Sequence, residues 1–242
     1  MTTTAPENGY AVKIAALLAK AESTDSPAEA EAFSAKAEEL MLKWGISDAM
    51  AAEARAGATA SEEIVEERRT LTGRYDQAFM MLAFKIATGL GSLRFLQSQA
   101  PGSTAIWIIG HRSDVDRYFM LLDSLQNQAE GAMRAWWKQE RNSGAYYRTG
   151  HQAFMARRQF LVSFGTAVRR RLEAERKVAV AEVGGAELVL VSRDGRVQAE
   201  MDRLHPNVRQ GRAMAQGPAS GATAGYAAGK RADLRGTRQV GR

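Results

Sequence analysis

The chain has 242 residues, 33 of them Lys or Arg against 27 Asp or Glu, and it carries no cysteine. Disulfides, thiolate metal sites and a cysteine nucleophile are therefore excluded, and the absence of cysteine fits a cytoplasmic protein. There is no run of 18 apolar residues and no cleavable signal pattern, so neither membrane insertion nor secretion is indicated.

The charge is uneven along the chain. Residues 1–73 carry 7 basic and 13 acidic side chains, net −6, whereas residues 74–242 carry 26 and 14, net +12. Within the basic part, 133–177 holds 11 basic and 3 acidic residues, and 203–242 holds 8 and 1. Such asymmetry points to a face for a polyanion, to an acidic segment covering a basic one, or to a plain solvated surface.

In chain order, Ile14, Leu17, Leu18 and Ala21 recur at helical spacing, predicting a first helix. Ser26 is placed to cap a second helix, with Pro27 at its first position and Glu29 completing a capping box. Phe33, Ala37, Leu40, Met41 and Trp44 form the apolar stripe of that helix, and Gly45 ends it. The two should fold as an αα-hairpin. The segment Lys13–Ile46, with Ala-Glu-Ser-Thr, the acidic turn, Glu-Ala-Glu-Ala and Ala-Lys-Ala-Glu-Glu-Leu-Met, resembles the domain of unknown function number 2786, common in phage and bacterial proteins. The remainder is similar to the companion uncharacterised domain number 7168, through Ile-Ile-Gly-His-Arg-Ser-Asp-Val-Asp at 108–116 and the Gly/Ala repeat near the end. Neither resemblance implies an activity or catalytic residues.

Further along, 47–58 reads as an Ala-rich helix and 62–71 as an edge strand. A helix follows over 75–90, then a hairpin of strands 92–99 and 104–110 around Pro101-Gly102. Ser113 is expected to cap a long helix to about Arg141, and another helix runs over 151–183. Ala186–Val191 reads as a short strand, and 197–204 as a short helix ended by Pro206. The expected fold is α+β: an N-terminal αα-hairpin (1–58) beside a small antiparallel sheet packed by long helices (59–205), then a Gly/Ala-rich basic segment (206–242).

Three stretches could carry chemistry. His111, Asp114 and Asp116 could bind a divalent metal, but Ser113 and the two carboxylates are also what a helix N-terminus favours, and capping is the preferred reading. No His-Glu-x-x-His, P-loop or Gly-x-Ser-x-Gly pattern occurs, so no catalytic, metal or cofactor residue is assigned and a non-enzymatic protein is favoured. The second stretch interleaves cations with aromatics: Arg134, Trp136, Trp137, Lys138, Arg141, Tyr146, Tyr147, Arg148, Arg157, Arg158, Arg169, Arg170 and Arg176. Cations neutralise phosphate and aromatic rings stack on unpaired bases, so DNA or RNA is the expected partner, with Lys230 and Arg231 contributing from the tail. The third is a ridge of Gly217, Gly221, Gly225 and Gly229, which permits close helix approach by the domain itself or by a second subunit or other protein. Nucleic-acid binding and protein assembly are thus the two functional expectations, with an unrecognised hydrolase third.

Overall fold

The computed structural model describes residues 17, 20, 21, 23, 24, 26–36, 39, 62–144, 147, 149–182, 186–208 and 219–234. The fold is α+β. It divides into two compact units, one of residues 1–62 with 174–193 and one of 63–173 with 194–242.

In the first unit, the second predicted helix is present over 27–36. Ser26 Oγ accepts from the Glu29 amide at 3.5 Å. The reciprocal half of the capping box is relayed: the Glu29 carboxylate accepts from the Thr24 hydroxyl at 2.8 Å, and Thr24 Oγ1 accepts from the Ser26 amide at 3.3 Å. Arg193 donates to Glu62 at 2.9 Å in the same unit. The helix expected over 47–58 lies outside the described residues.

The second unit is built on strands β1 (Ile64–Thr72), β2 (Arg94–Ala100) and β3 (Ser103–His111), in the order β1-β3-β2 and antiparallel throughout. Helix α1 (Asp76–Leu90) carries the chain from one edge strand to the other, and β3 fills the gap between them. The β2–β3 connection is the two residues Pro101-Gly102, with Gly102 at φ 75° where a side chain would be strained. Alternation along the strands divides the sheet's two faces. Val65, Leu71, Phe95, Ile106 and Ile108 join the main core with α1 and the long helix α2 (Arg112–Asn142). Ile64, Leu96, Trp107 and Ile109 form a smaller cluster on the other face.

That smaller cluster is completed by Val197 and Met201 of helix α4 (Ala186–Leu204). The strand expected over Ala186–Val191 is thus the first part of this helix. Arg94 of β2 holds α4 with a two-pronged ion pair to Asp194, both contacts 2.8 Å, and donates from Nε to Gln198 at 2.6 Å. His205, just past the helix end, contacts Glu66 of β1. The expected capping of α2 by Ser113 also changes. The N-cap is His111, in extended conformation and making no side-chain cap bond, and Ser113 lies inside the first turn.

Helix α3 (Gly150–Glu182) supplies Phe160, Leu161, Phe164, Val168 and Leu172 to the main core. Lys85 of α1 reaches across to α3, donating to the Val162 carbonyl at 3.1 Å and to the Thr166 hydroxyl. Burial, and secondarily the charge of Arg169, lowers its ammonium pKa to about 8. Helix α5 (Ala219–Lys230) lies along α3 with backbone against backbone. A Cβ on Gly221 would sit 2.1 Å from the Ala156 carbonyl oxygen. One on Gly225 would sit 2.1 Å from that of Phe160, and one on Gly229 2.4 Å from that of Phe164. Both rows advance by four residues in the same direction, so the helices run parallel along one seam.

Beyond α5 the chain is fastened into the core. Ala232 and Leu234 are buried, and Gln128 exchanges two hydrogen bonds with the Asp233 backbone, at 2.8 and 2.7 Å. Arg171 donates to the Ala232 carbonyl. Residues 219–234 thus pack against α2 and α3, within the compact unit that also holds the sheet.

The seam yields a test by substitution. Gly225→Ala should lower stability by about 2–3 kcal/mol, because the added methyl overlaps a carbonyl that only a helix shift can clear. Gly131→Ala, in α2 with nothing within 4 Å of the added carbon, should raise it by about 0.5–1 kcal/mol through helix propensity. Denaturant unfolding of both variants reads the contrast, and equal effects would contradict the seam.

Candidate nucleic-acid interface

The C-terminal end of α2, the start of α3 and the turn between β1 and α1 bring a series of rings and guanidinium groups together. Arg74 lies over the Phe154 ring, 5.1 Å from its centroid. Phe154 stacks on Tyr75 at 5.3 Å and 11°. Arg157 follows, 6.0 Å from the Tyr75 centroid and 4.8 Å from that of Trp137. Trp137 meets Tyr147 at 5.0 Å with the rings inclined by 51°. Six side chains from distant parts of the sequence thus form one continuous ladder. Each cation sits over a ring face, where the ring's quadrupole attracts it.

The ladder is braced from below. Arg157 Nε donates to the Ala153 carbonyl at 3.1 Å, and the Tyr147 hydroxyl donates to Glu140 at 2.7 Å. The two tryptophans differ in role. Trp136 packs on the core, stacked on Phe160 at 5.2 Å and 23°. Trp137 is part of the ladder; both rings are half-buried.

The cations assigned from the sequence do not form one face. Arg158 is buried, 8 % exposed, and burial lowers its pKa. It offers no surface to a phosphate. Arg134 pairs with Glu130 at 2.6 Å and Arg169 with Glu173 at 3.4 Å. Arg170 donates to the Tyr226 hydroxyl at 3.0 Å and lies over that ring. Arg176 belongs to the other compact unit. Tyr146 and Arg148 lie outside the described residues.

Exposed cations at the ladder are Arg74, Lys138 and Arg141; none of the three has a carboxylate partner among the described residues. Lys230 and Arg231 are likewise exposed, at the end of α5. Arg74 and Tyr75 are the residues that sequence reading missed. Nothing local marks them, since their ring partners are about 80 residues away. The preceding Gly73, at φ 99°, is the only local sign of the turn that presents them.

The glycine ridge has its partner inside the chain, since Gly221, Gly225 and Gly229 face α3; Gly217 lies outside the described residues. Among the described residues, no group of three or more His, Asp or Glu is placed to hold a metal, and no helix is long and apolar enough to cross a membrane. Asp116, considered above as a metal ligand, is 3.7 Å from Arg112.

Substitution separates the braced cations from the available ones. Arg157→Ala should cost about 1–2 kcal/mol, from two ring contacts and a hydrogen bond. Arg141→Ala should change stability by less than about 0.5 kcal/mol. Urea unfolding checks this, and a neutral Arg157→Ala would show that the ladder carries no packing energy.

Compared with known proteins, residues 11–48 match the family model described as Protein of unknown function (DUF2786). No curated protein and no solved structure matches the chain. The similarity to this family is thus confined to the N-terminal segment.

Proposed function

We propose that this is a non-enzymatic, nucleic-acid-associated protein that binds DNA or RNA at the junction of α2 and α3. The observation that carries the reading is the grouping of Arg74, Lys138 and Arg141, exposed and without carboxylate partners among the described residues, around a ladder of aromatic rings. Several other arginines of the sheet-containing unit are paired with carboxylates, as in Arg69–Asp123, Arg94–Asp194 and Arg203–Glu200. An uncompensated cation keeps its full attraction for phosphate, whereas a paired one must first break its ion pair. Lys230 and Arg231 add a second basic point at the end of α5.

In this reading the protein is cytoplasmic and phage- or bacterially encoded, and the part after the DUF2786 segment is the companion domain number 7168. The sequence cues at 108–116 support that assignment. The glycine ridge is not needed for a partner, because α3 fills it.

Binding should depend steeply on salt. With about three phosphate contacts on a single strand, raising salt from about 50 to about 200 mM should weaken binding about 20-fold. The double variant Lys138→Glu/Arg141→Glu should lose at least about tenfold at the lower salt while keeping its fold. Fluorescence polarisation with a labelled oligonucleotide measures both. No binding at the lower salt, or an unaffected double variant, would overturn the proposal.

A further inference from the structure

Resting on that reading, we infer that the site takes single-stranded nucleic acid, with Trp137 and Tyr147 receiving an unpaired base and Arg74, Lys138 and Arg141 holding the flanking phosphates. A duplex presents phosphates but keeps its base faces stacked inside. A site built for it needs an extended row of cations and no rings. This site has a different composition: few cations without carboxylate partners among the described residues, with Arg74 over the Phe154 ring and Lys138 and Arg141 following Trp137 on α2. Cations alternating with rings match the alternation of phosphate and base along an open strand.

The geometry at the outer end of the ladder fits this. Trp137 and Tyr147 are inclined by 51°, and Trp137 and Trp136 by 57°, so neither pair is stacked face to face. By contrast, Tyr75 and Phe154 are nearly parallel at 11°, and Trp136 and Phe160 lie at 23°. Those inner pairs already fill each other's faces. Tyr147 is fixed by its hydroxyl on Glu140, and Trp137 by the guanidinium of Arg157 against its ring. The inclined pair is therefore held in place before any ligand arrives, which lowers the ordering cost of stacking. Lys138 and Arg141 lie one and four residues beyond Trp137 on α2, and Arg141 shares its helix face through the i, i+4 relation.

The test uses the full chain and two labelled probes, an oligothymidine of about 20 nucleotides and a mixed-sequence duplex of the same length. Binding to the single strand should be at least about tenfold tighter than to the duplex at equal salt. Trp137→Leu should weaken single-strand binding by about 5- to 150-fold, the loss expected for one stacked base, and should leave duplex binding within about twofold. Oligothymidine should also quench tryptophan emission of the wild-type protein, and the quench should vanish in Trp137→Phe; this reading does not require Trp137→Leu to fold. Duplex binding as tight as single-strand binding, or an unchanged quench in Trp137→Phe, would overturn the inference while leaving the nucleic-acid reading in place. Absence of binding to either probe would overturn both.

Discussion

Helix α5 can lie against α3 only because three glycines, spaced by four, present no side chain to it. With carbonyl oxygens of Ala156, Phe160 and Phe164 standing where Cβ atoms would be, the two backbones approach as closely as helices can. Four-residue rows on both partners make the contact a seam rather than a point. The chain after α5 then inserts Ala232 and Leu234 into the core and bonds to Gln128 and Arg171. One face of α3 is thereby fixed by α5, and another by α1, through Lys85 and the small Gly165, whose absent side chain admits Leu82 and Lys85. A helix held on two faces has little freedom to rotate, and the ladder depends on that.

Arg157 and Phe154 of α3 must meet Trp137 of α2 and Tyr75 of the β1–α1 turn with ring-stacking precision. Stacking weakens quickly as rings slide or tilt, so the rigid seam below is what keeps the arrangement above. The division of the arginines follows from the same packing. Where helices and sheet are crowded, as at Arg94 or Arg158, guanidinium groups are paired or buried. At the end of the α2–α3 pair, the Glu140 carboxylate is engaged by the Tyr147 hydroxyl, and Arg74, Lys138 and Arg141 are exposed without a carboxylate partner among the described residues. Opposite the main core, Val197 and Met201 of α4 cover Ile64, Leu96, Trp107 and Ile109, while Arg68, Thr70 and Thr72 on the same face of β1 stay exposed.

Much of the fold was legible in residue spacing. Alternation marked Ile64–Thr72 and Ile106–Ile108, Pro101-Gly102 marked the hairpin, and Ser26 with Glu29 marked a helix start. The misreading of Ala186–Val191 has a clear cause. Val and Leu alternate there as in a strand, and only the continuation through Val197 and Met201 shows the helical period. Capping by Ser113 was expected from residue type, but the extended end of β3 runs directly into α2 and makes His111 the cap. The glycine ridge was recognisable, though spacing could not say whether its partner was internal. At the candidate site, Lys138, Arg141, Tyr147 and Arg157 were legible from composition. The inward turn of Arg158 and the arrival of Arg74 and Tyr75 were not, because both depend on tertiary packing between elements far apart in sequence.

We propose the end of the α2–α3 pair as the contact surface and the α3–α5 seam as its support. Hydrogen–deuterium exchange of the full chain with and without saturating oligothymidine separates the two roles. Exchange should slow in peptides covering 73–77, 134–142 and 149–157, with 221–229 unchanged. Protection confined to other parts of the chain, with these three peptides unaffected, would contradict it.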